Sequence, residues 1–325
     1  MRAAVIALAA LFGAAAPAVA APPDCEALRT YSEARGGLSL LVLEDGRTVC
    51  EAYAQGADAE TPFPLYSGTK SLVGLMAAAA VEDGLMSFEE MAIETLPEWR
   101  KDPAKSRVAL RQLLSMSAGL PSRIGDVPTY AGAIDLPFNA APGERFQYGP
   151  APYQAFGEIV RRKLVAKGLV ADPLAYLEQR ILRPSGVASV AWRRGADGLP
   201  MMPQGAAMTA RDWARLGEFV RGRFPAYAQL FEPSPANPAY GLGWWLPNPG
   251  VGPAPATAAT DLGQAGSAIP RDLVMAAGAG DQRLYLIPSR QLTIVRQARL
   301  GGAGGRPAWS DSAFVRIALG DTASR

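Results

Sequence analysis

A serine and a lysine one helical turn apart are the first residues in this sequence able to do chemistry. Ser67-Gly68-Thr69-Lys70 stands where an extended segment gives way to a long apolar helical run from Lys70 to Val81, stopped by Gly84. Side chains at i and i+3 share one helix face. A Lys70 amine that has lost its proton would therefore reach the Ser67 hydroxyl and activate it as a nucleophile, with no imidazole needed. The free N–H groups and the positive dipole end of a helix N-terminus favour the anion that such an attack creates. The same four residues also suit an ordinary helix start, with Ser67 as N-cap and Lys70 exposed in the first turn. Local sequence does not choose between the two.

Tyr148 is the second candidate. It lies in Pro142-Gly143-Glu144-Arg145-Phe146-Gln147-Tyr148-Gly149-Pro150, at the end of the turn-rich stretch between Pro121 and Pro142 and just before a helix. A loop aromatic of this kind can simply pack on the core. Beside a lysine, however, a phenol can share one proton with the amine at neutral pH, because both free groups titrate near pH ~10.

Composition narrows the chemistry. The 325 residues include no histidine and two cysteines. That excludes Ser-His-Asp and Cys-His mechanisms, His-ligated zinc, all-cysteine zinc and iron–sulfur clusters. No metal or cofactor is expected. Gly-x-Ser-x-Gly and Walker motifs are absent, and Gly301-Gly302-Ala303-Gly304-Gly305 reads as a plain loop. With 32 basic and 30 acidic residues, net charge +2, there is no strong field for nucleic acid. The local cluster of Arg161, Arg162, Lys163 and Lys167 reads as the solvated end of a helix.

The elements that must position these residues are legible in outline. Residues 1–20, with Arg2, an apolar run from Ala3 to Ala16 and Ala18-Val19-Ala20, resemble a cleavable export signal. The run is shorter than a membrane span, and no later segment is long and apolar enough to span. The expected location is periplasmic or secreted, where Cys25 and Cys50 could join an N-terminal helix to a strand or remain two free thiols. Helical patterns cover Glu26–Ala34, Tyr153–Lys167, Leu174–Leu182, Ala210–Gly222 and Ala308–Leu319. Ser87 with Glu90, and then Ser106, look like caps of two further short helices. Strands are expected at Leu38–Leu43, Thr48–Tyr53, Tyr240–Leu246, Leu284–Ile287 and Leu292–Arg296. Strands at both chain ends and helices between them predict an α/β chain of the α+β type. Its antiparallel sheet is built from about residues 21–65 and 235–325, and a mostly helical region of about 85–230 is inserted. Residues 21–325 read as a single domain.

Five ordered segments then resemble one family. Tyr66-Ser67-Gly68-Thr69-Lys70-Ser71 is similar to the Ser-x-x-Lys element of the serine β-lactamase and penicillin-binding-protein superfamily, in its class C-like branch. That branch includes β-lactamase-fold esterases, D-alanyl peptidases and 6-aminohexanoate-dimer hydrolases. Leu113-Leu114-Ser115-Met116-Ser117-Ala118-Gly119-Leu120 resembles its "LLxHxSGL" signature, with Met116 in place of the frequent His and Ala118 in place of the Ser. Pro142 to Tyr148 resembles the "PGxxFxYS" segment that carries the active-site tyrosine. Thr209-Ala210-Arg211-Asp212-Trp213-Ala214 resembles "TARDxAR", and Tyr240-Gly241-Leu242-Gly243-Trp244-Trp245 resembles "YGxGWW".

The resemblance implies a β-lactamase/transpeptidase-like fold and a serine hydrolase working by acyl-enzyme. Ser67 would be the nucleophile, Lys70 and Tyr148 the base pair. Two departures bear on substrate. Pro150 stands where Tyr-x-Asn would place an amide donor. Val274-Met275-Ala276-Ala277-Gly278-Ala279-Gly280 stands where relatives carry Lys-Thr-Gly or His-x-Gly. Without those groups to grip a carboxylate, a small ester or amide substrate is expected. A β-lactamase or D-alanyl-D-alanine carboxypeptidase is the first alternative, and an inactive binding protein on the same fold the second. Backbone at Ala277, Gly278 and Ala279 would supply half of an oxyanion hole, and Trp244 would help line the cleft.

Overall fold

The computed structural model describes residues 22–121, 123–247, 260–264, 269–301 and 306–321. The segment read as an export signal, most of the Pro/Ala/Gly-rich loop after Pro247, and residues 302–305 lie outside them.

The chain opens with α1 (Cys25–Ala34), whose N-cap Asp24 accepts from the Ala27 N–H at 3.0 Å. β1 (Gly37–Glu44) and β2 (Arg47–Tyr53) form a hairpin about Asp45-Gly46, both at positive φ, as the tight two-residue turn requires. A disulfide joins Cys25 at the start of α1 to Cys50 in β2. Short β3 (Phe63–Pro64) leads into the turn that carries Ser67, and α2 (Thr69–Glu82) follows. Then come α3 (Leu110–Leu114), α4 (Tyr130–Asp135), α5 (Ala151–Ala166) and α6 (Pro173–Leu177). β4 (Ala191–Trp192) and β5 (Ala206–Met208) make a small sheet with β3, and α7 (Ala210–Gly222) succeeds them. The chain returns to the main sheet through β6 (Val274–Gly278), β7 (Gln282–Ile287) and β8 (Leu292–Ala298), and α8 (Asp311–Ala318) closes it.

The main sheet has the order β2-β1-β8-β7-β6 and is antiparallel throughout. Its centre joins the two chain ends, Leu41 opposite Val295. α1 and α8 pack together on one face, where Arg296 meets Ser32 of α1 and Arg283 meets Asp311 of α8. α7 covers the other face, and Gly217 lets it approach Leu284, Leu286 and Thr293. Both faces being covered, β7 and β8 are buried along their whole length. The fold is β-lactamase/transpeptidase-like, as the sequence implies.

Some local readings change. Ser87 and Glu90 sit in a turn rather than at a helix start, with the Glu90 N–H donating to the Ser87 carbonyl at 3.2 Å. α3 is capped at Ala109 by the Gln112 side chain, not by Ser106. Tyr240–Leu246 is a tight turn instead of a strand. Tyr240 bridges Trp245, and Gly243 takes φ +90° where it abuts the Lys70 carbonyl. The basic cluster on α5 is paired: Arg161 and Arg162 hold Glu158 at 2.6 and 2.7 Å, and Lys163 holds Glu90 at 2.6 Å.

Candidate active site

The site forms where α2 starts against the end of β6. Ser67 occupies a single 3₁₀ turn, Tyr66–Gly68, entered through Tyr66 at φ +47°. A non-glycine residue in the left-handed region is strained and commonly marks a functional turn. Gly68 packs under the Trp213 ring. Lys70 follows in the first turn of α2 and is buried, with 3% of its surface exposed.

Lys70 Nζ lies 3.0 Å from Ser67 Oγ and 3.0 Å from the Pro203 carbonyl oxygen. It also stands over the rings of Tyr148 and Tyr153, 4.8 and 5.8 Å from their centroids. Burial pulls the Lys70 ammonium down to about 7, because the charged form is the costlier one to desolvate. The Tyr148 hydroxyl is hydrogen-bonded to Ser67. Burial pushes this phenol up to about 12, against the pull of the Ser67 hydrogen bond and the positive charge of Arg283. Desolvation thus weighs against both charged forms and favours a neutral amine beside a neutral phenol.

The surroundings fix these three groups. The segment 113–120 bolts down the Tyr148 loop: Gln147 N–H donates to the Met116 carbonyl at 2.8 Å and Gly143 N–H to the Ser117 carbonyl at 2.7 Å. Met116 holds φ +60°, the conformation in which His or Asn is more at ease than Met. The Tyr240–Trp245 turn braces α2, since Ser71 Oγ donates to the Gly243 carbonyl at 2.6 Å. Tyr153 donates to the Leu114 carbonyl at 2.8 Å and so ties α5 to α3 beneath Lys70.

β6 is the edge strand. Trp245 exchanges two 2.9 Å backbone hydrogen bonds with Met275 on its outer side. Strand backbone groups alternate in direction, so the Ala277 N–H also points outward. The next outward N–H belongs to Ala279, just past the strand end. Gly278 rests against the Ser67 turn, where a Cβ would collide with the Leu65 carbonyl oxygen and crowd the Gly68 nitrogen. The strand therefore offers its backbone beside Ser67, as an oxyanion site needs.

One expectation is corrected. Trp244 does not line the cleft: it is fully buried, edge-on to Phe231 at 5.5 Å and close to Gly74 of α2. Its bulk fills the space behind α2. Trp245 is the tryptophan beside the site, its ring 5.7 Å from that of Tyr148. Sequence reading missed Pro203, whose contribution is a carbonyl that every residue carries. It also missed Tyr153, which reads as one more apolar residue of α5. Among the described residues, no cluster of three acidic or sulfur side chains gathers that could hold a metal ion.

A family model for β-lactamase matches residues 25–306. The chain belongs to the β-lactamase family. It is a serine hydrolase of that family, and the match spans every element that builds the site. Among solved structures, it is similar to a protein assigned as a β-lactamase from Bacteroides dorei. The TM-score is 0.70 at 18% identity, over 93% of this chain and 98% of that one. A protein assigned as a 6-aminohexanoate-dimer hydrolase from Bacillus anthracis gives a TM-score of 0.67 at 16% identity, over 91% and 81% of the two chains. EstCE1, a hydrolase with promiscuous acyltransferase activity, gives 0.66 at 16% identity, over 91% and 96%. At such identities the likeness is one of fold. No curated protein sequence matches the chain.

Proposed function

We propose that this β-lactamase-family protein is an exported hydrolase that cleaves small esters or amides through an acyl-enzyme on Ser67. The observation that carries the reading is the 3.0 Å approach of a buried, readily deprotonated Lys70 amine to Ser67 Oγ. Ser67 Oγ attacks the substrate carbonyl carbon as its proton passes to Lys70 Nζ. The carbonyl electron pair moves onto oxygen, held by the N–H groups of Ser67 and of Ala279 or Ala277. When the tetrahedral intermediate collapses, the leaving group takes the proton from Lys70 through the Tyr148 hydroxyl, which is hydrogen-bonded to Ser67. Water, giving its proton back along the same groups, then releases the acid.

The substrate class follows from what the site lacks. Pro150 has no donor to offer an amide, and Ala276-Ala277-Gly278-Ala279 has no cation for a carboxylate. That argues for uncharged ester or amide substrates over β-lactams and D-alanyl peptides. Export is supported by the pattern of residues 1–20, and the Cys25–Cys50 bridge fits an oxidising compartment such as the periplasm. Residues 21–325 would then be the mature, single-domain hydrolase.

The test is Ser67→Ala assayed on a panel of p-nitrophenyl esters, peptide amides and 6-aminohexanoate oligomers. Turnover falls at least ~100-fold with the fold intact, and a fluorophosphonate labels Ser67 in the wild type alone. Turnover retained by Ser67→Ala overturns the mechanism. A stable fluorescent-penicillin adduct, or rapid nitrocefin hydrolysis, moves the substrate to β-lactams. No turnover and no label on any probe leaves a binding protein.

A further inference from the structure

We infer that Arg283 serves the reaction as a positioning residue, by fixing and polarising the Gly278–Ala279 peptide whose N–H faces the oxyanion. The inference rests on the Ser67 acyl-enzyme reading above.

Arg283 lies on β7, opposite Ala277, with 3% of its surface exposed. Its Nη1 donates to the Gly278 carbonyl oxygen at 3.1 Å and to the Gln282 carbonyl at 3.1 Å. The Gly278 carbonyl and the Ala279 N–H belong to one planar peptide group. In a trans peptide the two point in opposite directions, and there is no cis bond among the described residues. Holding the carbonyl toward β7 therefore aims the Ala279 N–H at the outer edge, beside Ser67. A guanidinium on the carbonyl oxygen also draws charge through the peptide and strengthens its N–H as a donor.

The guanidinium is itself anchored. Its Nε donates to Asp311 Oδ1 at 2.7 Å, and Asp311, at the start of α8, also accepts from Tyr285 Oη and from Trp309 Nε1 at 2.8 Å. Burial opposes the charge on Arg283, and Asp311 and its neighbours more than offset it. A second buried arginine finishes the turn: Arg296 Nη1 donates to the Gly280 and Asp281 carbonyls at 3.4 and 2.8 Å. A buried guanidinium has to place every donor somewhere: Nη2 faces Asp281 Oδ1 and Asp311 Oδ2, both at 3.4 Å, and Nη1 is the donor spent on the carbonyl at the end of the oxyanion strand.

The experiment compares a tetrahedral mimic with ground-state substrate. Phenylboronic acid adds to Ser67 and places a boron-bound oxygen where the oxyanion forms, so its affinity reads that site directly. Three variants are measured: Arg283→Gln; Arg283→Lys, which keeps the charge but puts its donors on one nitrogen that cannot span Asp311 and the carbonyls as the guanidinium fork does; and the double variant Arg283→Met with Asp311→Leu. The double variant leaves no orphan charge in the core and settles the matter if Arg283→Gln fails to fold. In Arg283→Gln and the double variant, kcat per fluorophosphonate-labelled site and boronate affinity fall together, roughly 10- to 100-fold. KM stays within about twofold, and Arg283→Lys recovers part of the loss. A folded variant without Arg283 that keeps both kcat per labelled site and boronate affinity within about twofold overturns the proposal, whatever its melting temperature. If the wild type itself takes neither label nor boronate, the acyl-enzyme reading fails first, and this inference with it.

Discussion

Lys70 Nζ sits equidistant, at 3.0 Å, from Ser67 Oγ and the Pro203 carbonyl oxygen. The two partners ask different things of the nitrogen. The carbonyl only accepts, so one N–H must go to it. The hydroxyl can donate, and a neutral amine has one lone pair with which to receive that proton. An ammonium would spend its donors on both oxygens and could take nothing. In the proposed mechanism the protonation state of one buried nitrogen therefore decides whether Ser67 can act as the nucleophile.

A pH dependence follows. With the Lys70 ammonium pulled down to about 7 by burial, kcat/KM for a p-nitrophenyl ester rises close to tenfold per pH unit below pH 7 and levels off above it. A flat profile from pH 5 to 8 would assign the base elsewhere, since the chain has no histidine to titrate there. Stability moves in the same direction. The folded pKa of Lys70 lies below its ordinary value of 10.5, so between these values the unfolded chain binds the extra proton. Raising the pH through that window stabilises the fold, by about 1.4 kcal/mol per unit from this group. Urea denaturation at pH 7.5 and 9.5 shows the slope, and Lys70→Met removes it.

Tyr148→Phe separates the roles of the two neutral groups. If Tyr148 carries the proton to the leaving group, turnover of an alkyl ester falls about 100- to 1,000-fold. A p-nitrophenyl ester, whose leaving group departs without a proton, loses much less. Equal losses on the two substrates would give Tyr148 a purely steric part. The fold is retained, because the ring packing against Phe146, Tyr240 and Trp245 stays and only the hydroxyl bonded to Ser67 is lost.

Gly278→Ala tests the strand. The added methyl has no room between β6 and the Ser67 turn, since it meets the Leu65 carbonyl oxygen, a backbone atom. The strand must move away from the nucleophile. Ester turnover falls at least about 100-fold, as expected when an oxyanion donor is displaced, while circular dichroism stays that of the wild type. Wild-type turnover in this variant would place the oxyanion donor away from the Ala277–Ala279 backbone.

The disulfide should matter for stability and not for rate. It closes a loop of 25 residues between α1 and β2, worth about 3.5 kcal/mol in the unfolded-chain model. Cys25→Ser with Cys50→Ser lowers the melting temperature by several degrees, as differential scanning calorimetry will show. Its kcat equals that of the wild type, because the bridge ties α1 to β2, at the opposite edge of the sheet from β6.

The sequence exposes some of this arrangement and hides the rest for physical reasons. Ser67, Lys70 and Tyr148 are side-chain chemistry at recognisable spacings, and the structure brings them together. The hydrophobic runs of β1, β7 and β8 mark the sheet because both of its faces are covered. The start of β7 is missed because Gln282 and Arg283 read as polar, whereas the structure buries them against carbonyls. The Tyr240–Trp245 turn is mistaken for a strand because its apolar residues are buried by neighbours, while Gly241 and Gly243 bend the chain. Trp244 misleads because the two adjacent tryptophans are both buried, and sequence gives no sign of which one packs against the Tyr148 ring. Backbone partners such as the Pro203 carbonyl leave no trace in composition at all.

The order of the main sheet also governs when the site can come into being. Ser67 leaves the ribosome long before β6, the strand proposed to complete its oxyanion site, and before β8, which pairs with β1. Pairings between such distant segments form slowly, after the costly closure of a very long loop. On the proposed mechanism an unfinished chain would carry its nucleophile with no oxyanion site, and a proteolytic fragment lacking the last strands would be equally inert. Loss of those strands should silence the protein as thoroughly as loss of the Ser67 hydroxyl itself.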